Sequence, residues 1–313
     1  MTTRALEIIR GQMTDGLYRG ATLATYQAGK WTEHYLGTID GTTPVTAGLV
    51  YDLASVSKVV GVGTQMIFMV NSGALTLDQS LKAYYPDFHD DSISLRQLLT
   101  HTSGIDPFIP NRNELNAAKL KEAINHIKVT ADKRFKYTDI NFLLLGFMLE
   151  HLTGKSLAKL FEASIFTSFG MTETSFGPRI GAVPTVKGIV DGRVHDPKAN
   201  VLGEHAGSAG LFSTVGDLEK FLEHYLKDDF AKDLWQNYGG DKPRSMAWNL
   251  EGDWLDHTGY TGPFVMVNRK DQTAAIFLTN RTYDVDDRPL WIAMRRYIYQ
   301  ALVADLKCEN EKA

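Results

Sequence analysis

The chain has 313 residues, with 33 Lys+Arg against 37 Asp+Glu and a formal charge of −4. At roughly 150 residues per domain this allows two domains, or one carrying an insertion, with a core that needs no disulfide staples. The mildly acidic balance, with no basic block, excludes nucleic acid or an anionic membrane as the main partner. A single cysteine, Cys308, excludes an internal disulfide framework and a thiolate zinc site.

Residues 1–10 lack the apolar run of a secretory leader, because charge returns after two or three residues. The longest apolar stretch, 142–149, is less than half of a membrane span. As written, the chain reads as cytoplasmic, or as exported if an upstream segment has been removed. Residues 4–14 carry Ala5, Ile8, Ile9 and Met13 near helical spacing. Runs 21–27 and 30–36 read as strands joined at Ala28-Gly29 as a hairpin. A short strand at 50–53 leads into a helical stretch over 55–71.

Helices are expected at 95–100, 140–151 and 157–166. Residues 177–200, rich in Gly, Pro and Val, read as loops with short strands, and the basic stretch Lys133-Arg134-Phe135-Lys136 reads as a solvated edge. Strand-like runs at 245–250, 264–268 and 274–280 precede a closing helix over 288–306. Strands at both ends with helices between them predict an α+β fold. Its antiparallel sheet domain would be discontinuous, 1–60 and 201–313, flanked by helices and interrupted by a mostly helical insertion, 61–200, with the site in the cleft between them.

The sharpest local signal is Ser55-Val56-Ser57-Lys58. Residues three apart share a helix face, so the Lys58 amine can reach the Ser55 hydroxyl. A serine becomes a nucleophile when a neighbouring base takes its proton, and a lysine serves if desolvation or positive neighbours lower its pKa. Ser55 alone reads as a nucleophile or as a helix N-cap. Ser156-Leu157-Ala158-Lys159 matches the same pattern but opens a short amphipathic helix, where Ser156 is an N-cap.

Tyr137-Thr138-Asp139 places a phenol where it can carry a proton to a leaving group, or caps and staples the helix from 140. His257-Thr258-Gly259 reads as a Gly-rich turn with a surface histidine. Alternatively, its small residues on an edge strand let a substrate backbone approach, with the N–H groups of Ser55 and Tyr260 as oxyanion donors. The nine histidines lack metal-ligand spacing. His89-Asp90-Asp91 reads as a solvated loop, and His101 closes the helix from 95. Ser208, in Ala206-Gly207-Ser208-Ala209-Gly210, resembles a hydrolase elbow with His257 later in the chain, but no apolar strand precedes it.

Ser55-x-x-Lys58, Tyr137-x-Asp139 and His257-Thr258-Gly259 occur in that order, about 80 and then about 120 residues apart. As an ordered set they resemble the serine β-lactamase and penicillin-binding-protein superfamily, in particular its class C-like branch with D-alanyl-D-alanine carboxypeptidase relatives and esterases. The stretches 98–105 and 206–214 are also similar to this branch. The resemblance implies Ser55 as the acylated nucleophile, Lys58 as its base, Tyr137 as the proton shuttle, and Ser55 and Tyr260 N–H as the oxyanion hole.

Two positions depart from the pattern. Asp139 stands where Asn is usual, which removes a donor to a substrate amide carbonyl and favours a charged Lys58. His257 stands where most β-lactamases have Lys, which weakens the hold on a substrate carboxylate at neutral pH.

The expected activity is therefore hydrolysis through an acyl-enzyme on Ser55, of small esters or D-amino-acid peptides in preference to β-lactams. The alternatives are a cell-wall D-alanyl-D-alanine carboxypeptidase and a degenerate binder of β-lactams or peptidoglycan fragments. No metal or organic cofactor is implied, because Ser, Lys and Tyr can complete acyl transfer alone. The partner is a small acyl substrate (ester, D-peptide or β-lactam), with the oligomeric state open.

Overall fold

The first helix follows from its spacing. In the computed structural model, which describes residues 3–310, Arg4–Thr14 (α1) is capped by Thr3, whose hydroxyl accepts from the Leu6 N–H, and buries Ala5, Leu6 and Ile9. Gly20–Gln27 (β1) and Lys30–Gly37 (β2) form the expected hairpin, with Gln27 opposite Lys30. Ala28 and Gly29 turn it with φ of 50° and 79°, the left-handed pair that matches the twist of the flanking strands.

Tyr51–Asp52 (β3) enters the helical stretch as expected, but at three pitches. A tight turn over Ala54–Val56 is followed by a wide one over Val59–Gly63, and then by Thr64–Asn71 (α2). The short helices Leu95–Leu99 and Leu157–Phe161 and the long buried Ile140–Thr153 (α3) lie where predicted. Ser175–Phe176 (β4) and Leu211–Ser213 (β5) complete a small sheet in the order β3-β5-β4.

Three expectations change. Among the described residues, 177–200 contains no strand and instead leads into the helix Pro197–Leu202 (α4). Val215–Lys227 (α5), capped by Thr214, is a helix that burial of Leu218, Phe221, Leu222 and Tyr225 secures. Near the C-terminus only Asn249–Glu251 (β6) of the expected strand 245–250 pairs, because Ala247 turns the backbone at φ 69°. Trp254–Thr258 (β7) is then an additional strand before Phe264–Asn268 (β8) and Thr273–Thr279 (β9). The closing helix, Arg288–Asn310 (α6), runs past its expected end at 306.

The main sheet has the order β2-β1-β9-β8-β7-β6, and all its pairs are antiparallel. Its two-residue period sorts side chains into two apolar layers. Ala21, Leu23, Phe264, Met266 and Phe277 pack with α1 and α6, while Ala24, Tyr26, Val265, Val267 and Ile276 join the layer built with α2, α3 and α5. Both faces are covered, which is why β9 is buried at every position. Among the described residues no helix is long and apolar enough to cross a membrane.

Candidate active site

The turn carrying Ser55 is held from below. Asp52, at the end of β3, accepts the N–H of Ala54 and of His195, each at 2.8 Å. Burial pushes its carboxyl up to about 6 against those two donors. The clamp keeps Ala54 at φ 45°, an uncommon conformation for alanine. It presents Ser55 in the cleft with its side chain free of any capping bond.

Lys58 is 0% exposed, and its three N–H donors are all used: Ser55 Oγ at 2.7 Å, Asp139 Oδ1 at 2.8 Å and the Ser208 carbonyl at 2.9 Å. Burial favours the neutral amine, but the Asp139 carboxylate and then Tyr137 outweigh it and raise the Lys58 pKa above the ordinary lysine range. Lys58 thus rests as an ammonium that donates to Ser55. For Asp139, burial acts upward, but Lys58 and Lys198 hold its carboxyl well below the usual carboxylate range. Asp139 makes no side-chain cap to α3. The hydroxyl of Thr138 accepts from Ile140 N–H at 3.2 Å instead, leaving both Asp139 oxygens to the two lysines.

Tyr137 lies with its ring centroid 5.2 Å from Lys58 Nζ and 4.4 Å from that of His101. His101 does more than end its helix. Its Nδ1 accepts from Asn141 Nδ2 at 2.9 Å and Thr138 N–H at 3.4 Å. This puts the ring proton on Nε2, buried and without a hydrogen-bond partner among the described residues.

β7 brings the third motif to the same cleft. It is second from the sheet edge, but β6 pairs with it only as far as Asp256, so His257 and Thr258 lie where the outer edge is open. Gly259 packs so closely on the Ser55 turn that a Cβ there would lie 2.7 Å from the Leu53 carbonyl. His257 is buried rather than on the surface. Burial first, then Lys58 and Arg244, push it well below the ordinary histidine range, so it is neutral. Its Nδ1 donates to the Thr258 carbonyl at 3.2 Å.

The Tyr260 N–H has no acceptor among the described residues. Tyr260 is fixed by Arg281, whose Nε donates to its carbonyl at 2.9 Å, and by Asp286, which accepts from its hydroxyl at 2.6 Å.

Ser55, Tyr137, Asp139, His257, Thr258, Gly259 and Tyr260 all line one cavity of about 850 Å³, with Lys58 immediately behind it. Seven lysines and arginines against three aspartates line it, so this cleft is basic in an acidic chain. None of these seven cations stood out in the sequence, and two of them lie closest to the three motifs' chemistry. Arg244 is 2% exposed, bonds Asn249 and the Ala247 carbonyl, and burial lowers its pKa only to about 10, leaving it charged at neutral pH. Lys198, on α4, pairs with Asp139 at 3.1 Å and Asp196 at 2.9 Å.

Ser208 lies outside the cleft lining at 0% exposure. Its carbonyl serves Lys58 while its hydroxyl is buried, so no substrate reaches it. Ser156 is the N-cap expected, accepting the Lys159 N–H at 3.5 Å. Ser156→Ala is accordingly expected to leave turnover at the wild-type rate and to cost about 1 kcal/mol in urea unfolding, the value of a lost cap.

A serine and a lysine are thus in contact at the floor of a cleft beside an antiparallel sheet. The chain belongs to the Beta-lactamase family, whose model matches residues 6–298. A relative from Escherichia coli K12 named "Putative D-alanyl-D-alanine carboxypeptidase" is 25% identical over 305 residues, covering 76% of this chain and 70% of its own. Among solved structures, a β-lactamase from Sulfitobacter sp. EE-36 is similar with a TM-score of 0.76 at 18% identity, covering 98% of both chains. EstCE1, a hydrolase with promiscuous acyltransferase activity, has a TM-score of 0.74 at 17% identity, covering 95% of this chain and 97% of its own. At such identities these two structures establish the shared fold.

Proposed function

We propose that Ser55 is the acylated nucleophile of a hydrolase for small acyl substrates whose leaving group carries a carboxylate. The observation that carries this reading is the 2.7 Å hydrogen bond between Lys58 Nζ and Ser55 Oγ at the floor of an open cleft. Ser55 Oγ forms the bond to the acyl carbon, and the N–H groups of Ser55 and Tyr260 receive the developing oxyanion. As the leaving-group bond breaks, Lys58 gives one of its own protons through Tyr137 to the leaving group and takes the serine proton in its place. The Lys58–Asp139 pair carries the same charge before and after. Water then attacks the acyl carbon, and its proton returns to Ser55 Oγ by the same groups.

Thr258 and Gly259, on the open part of β7, lie alongside the substrate backbone. The site sits between the sheet part, 1–60 and 201–313, and the helical insertion, 61–200. Neutral His257 cannot hold a carboxylate by charge, and this task falls to Arg244. A charged arginine at that position favours a peptide ending in a free carboxylate, as in a D-alanyl-D-alanine carboxypeptidase, over an uncharged ester.

Fluorophosphonate labelling followed by peptide mapping tests the nucleophile. A single adduct on Ser55 is expected. An adduct on Ser208, or none, would overturn the assignment. Stoichiometric acylation by a substrate ester without turnover would instead identify a binder.

A further inference from the structure

The Asp139 substitution leaves the cleft without the amide donor that Asn supplies at that position in the resembled motif, and Lys198 stands beside the gap. Its ammonium, in a residue 8% exposed, donates to Asp196 Oδ2 at 2.9 Å and is ion-paired with Asp139 Oδ2 at 3.1 Å. A lysine has three N–H donors, and the third has no partner among the described residues, although Lys198 lines the cleft. Asp196 is itself fixed, because its Oδ1 accepts the Ala199 N–H at 2.8 Å as the N-cap of α4. The ammonium is therefore tethered at two points with its remaining donor available.

We infer that Lys198 is a substrate-binding residue that donates to an amide carbonyl in the acyl part of the substrate, replacing the missing asparagine amide. The class of acyl donor this selects is an N-acylated amino acid rather than a plain fatty acyl group. Charge bookkeeping favours a neutral acceptor. Lys58 and Lys198 are matched by Asp139 and Asp196, so no net positive charge remains at this point to attract a second carboxylate, which belongs at Arg244. A charge-assisted bond to a carbonyl, made away from bulk water, discriminates strongly between acyl chains with and without that oxygen.

The inference rests on acylation at Ser55, and its test separates the two. The m-carboxyphenyl esters of phenylacetylglycine and of 5-phenylpentanoic acid share a leaving group and chain length and differ in the amide. The wild-type protein is expected to prefer the amide ester by about tenfold or more in kcat/KM. Lys198→Met is expected to reduce that ratio to near unity. A wild-type ratio near unity overturns the inference without reference to any variant. So does a Lys198→Met protein that slows on both esters with the ratio intact, since Lys198 would then only neutralise Asp139. Fluorophosphonate labelling of Ser55 with neither ester turned over overturns the Lys198 role alone. Absence of Ser55 labelling removes the nucleophile, and the inference falls with it.

Discussion

Ser55→Ala is expected to lower turnover of any acyl substrate by about 10⁴-fold or more while leaving the fold intact. Without Oγ no acyl-enzyme can form, and the remaining donors can only orient water. The structural cost is small. Ser55 is only partly buried, and it contributes one acceptor to Lys58, whose other two N–H donors keep the Asp139 carboxylate and the Ser208 carbonyl. Water entering from the cleft can replace the lost oxygen, so the loss in urea unfolding is held to about 1 kcal/mol. Single-turnover kinetics beside a denaturation curve checks both halves. Activity near wild type in a folded Ser55→Ala protein would sink the mechanism.

Asp139→Asn is expected to cost of order 3 kcal/mol of stability and to bring a new ionisation into the pH profile. Removing the carboxylate leaves a buried ammonium with its principal counter-charge gone. Burial, opposed then mainly by Tyr137, lowers the Lys58 pKa relative to the wild type.

The pH dependence has a definite sign. In the wild type Lys58 is raised, so its contribution is fully present below the ordinary lysine value of about 10.4 and is lost above it. Asp139 is depressed, so its contribution is present above about 3.9 and is lost as pH falls through its folded value. In the variant, Lys58 in the folded state releases its proton first, and raising the pH towards about 10.4 relieves the penalty. The stability gap between the two proteins should be widest at mildly acidic pH and narrow towards the alkaline side. Unfolding curves at several pH values measure this, and a kcat/KM profile should show an added limb in the variant. Parallel stability curves with superimposable rate profiles would show that Asp139 does not control Lys58.

Much of the site was legible because its parts are local. Ser55 and Lys58 are three residues apart, and Tyr137 and Asp139 open one helix, so each pair stood out locally, and their order with His257 set them apart from Ser156-x-x-Lys159. Lys198 and Arg244 were not legible, since Lys198 meets Asp139 and Arg244 meets the ring of Phe135 only in the folded chain.

The elements show the same division. β1, β8 and β9 are rich in apolar and β-branched residues, and their strands appeared in the sequence. β7 did not, because two of its five residues, Asp256 and His257, are polar yet buried. Asp256 accepts from Asn249 at 2.8 Å, so a hydrogen bond rather than apolarity keeps it inside. α5 is different. Leu218, Phe221, Leu222 and Tyr225 recur at helical spacing after a Thr214 cap, and that pattern was present in the chain but not read.

The pairing of β1 with β9, from Ala21 opposite Thr279 to Tyr26 opposite Ala274, has a consequence for how the protein is made. On the ribosome the first hairpin emerges early and must wait for a neighbour encoded more than two hundred codons later. Until then one edge of β1 is unpaired, and the strand bearing His257 has no link to the first hairpin. Such distant closure is intrinsically slow. The serine turn is therefore synthesised long before its cleft exists, and the nascent enzyme remains inactive until the last strand docks.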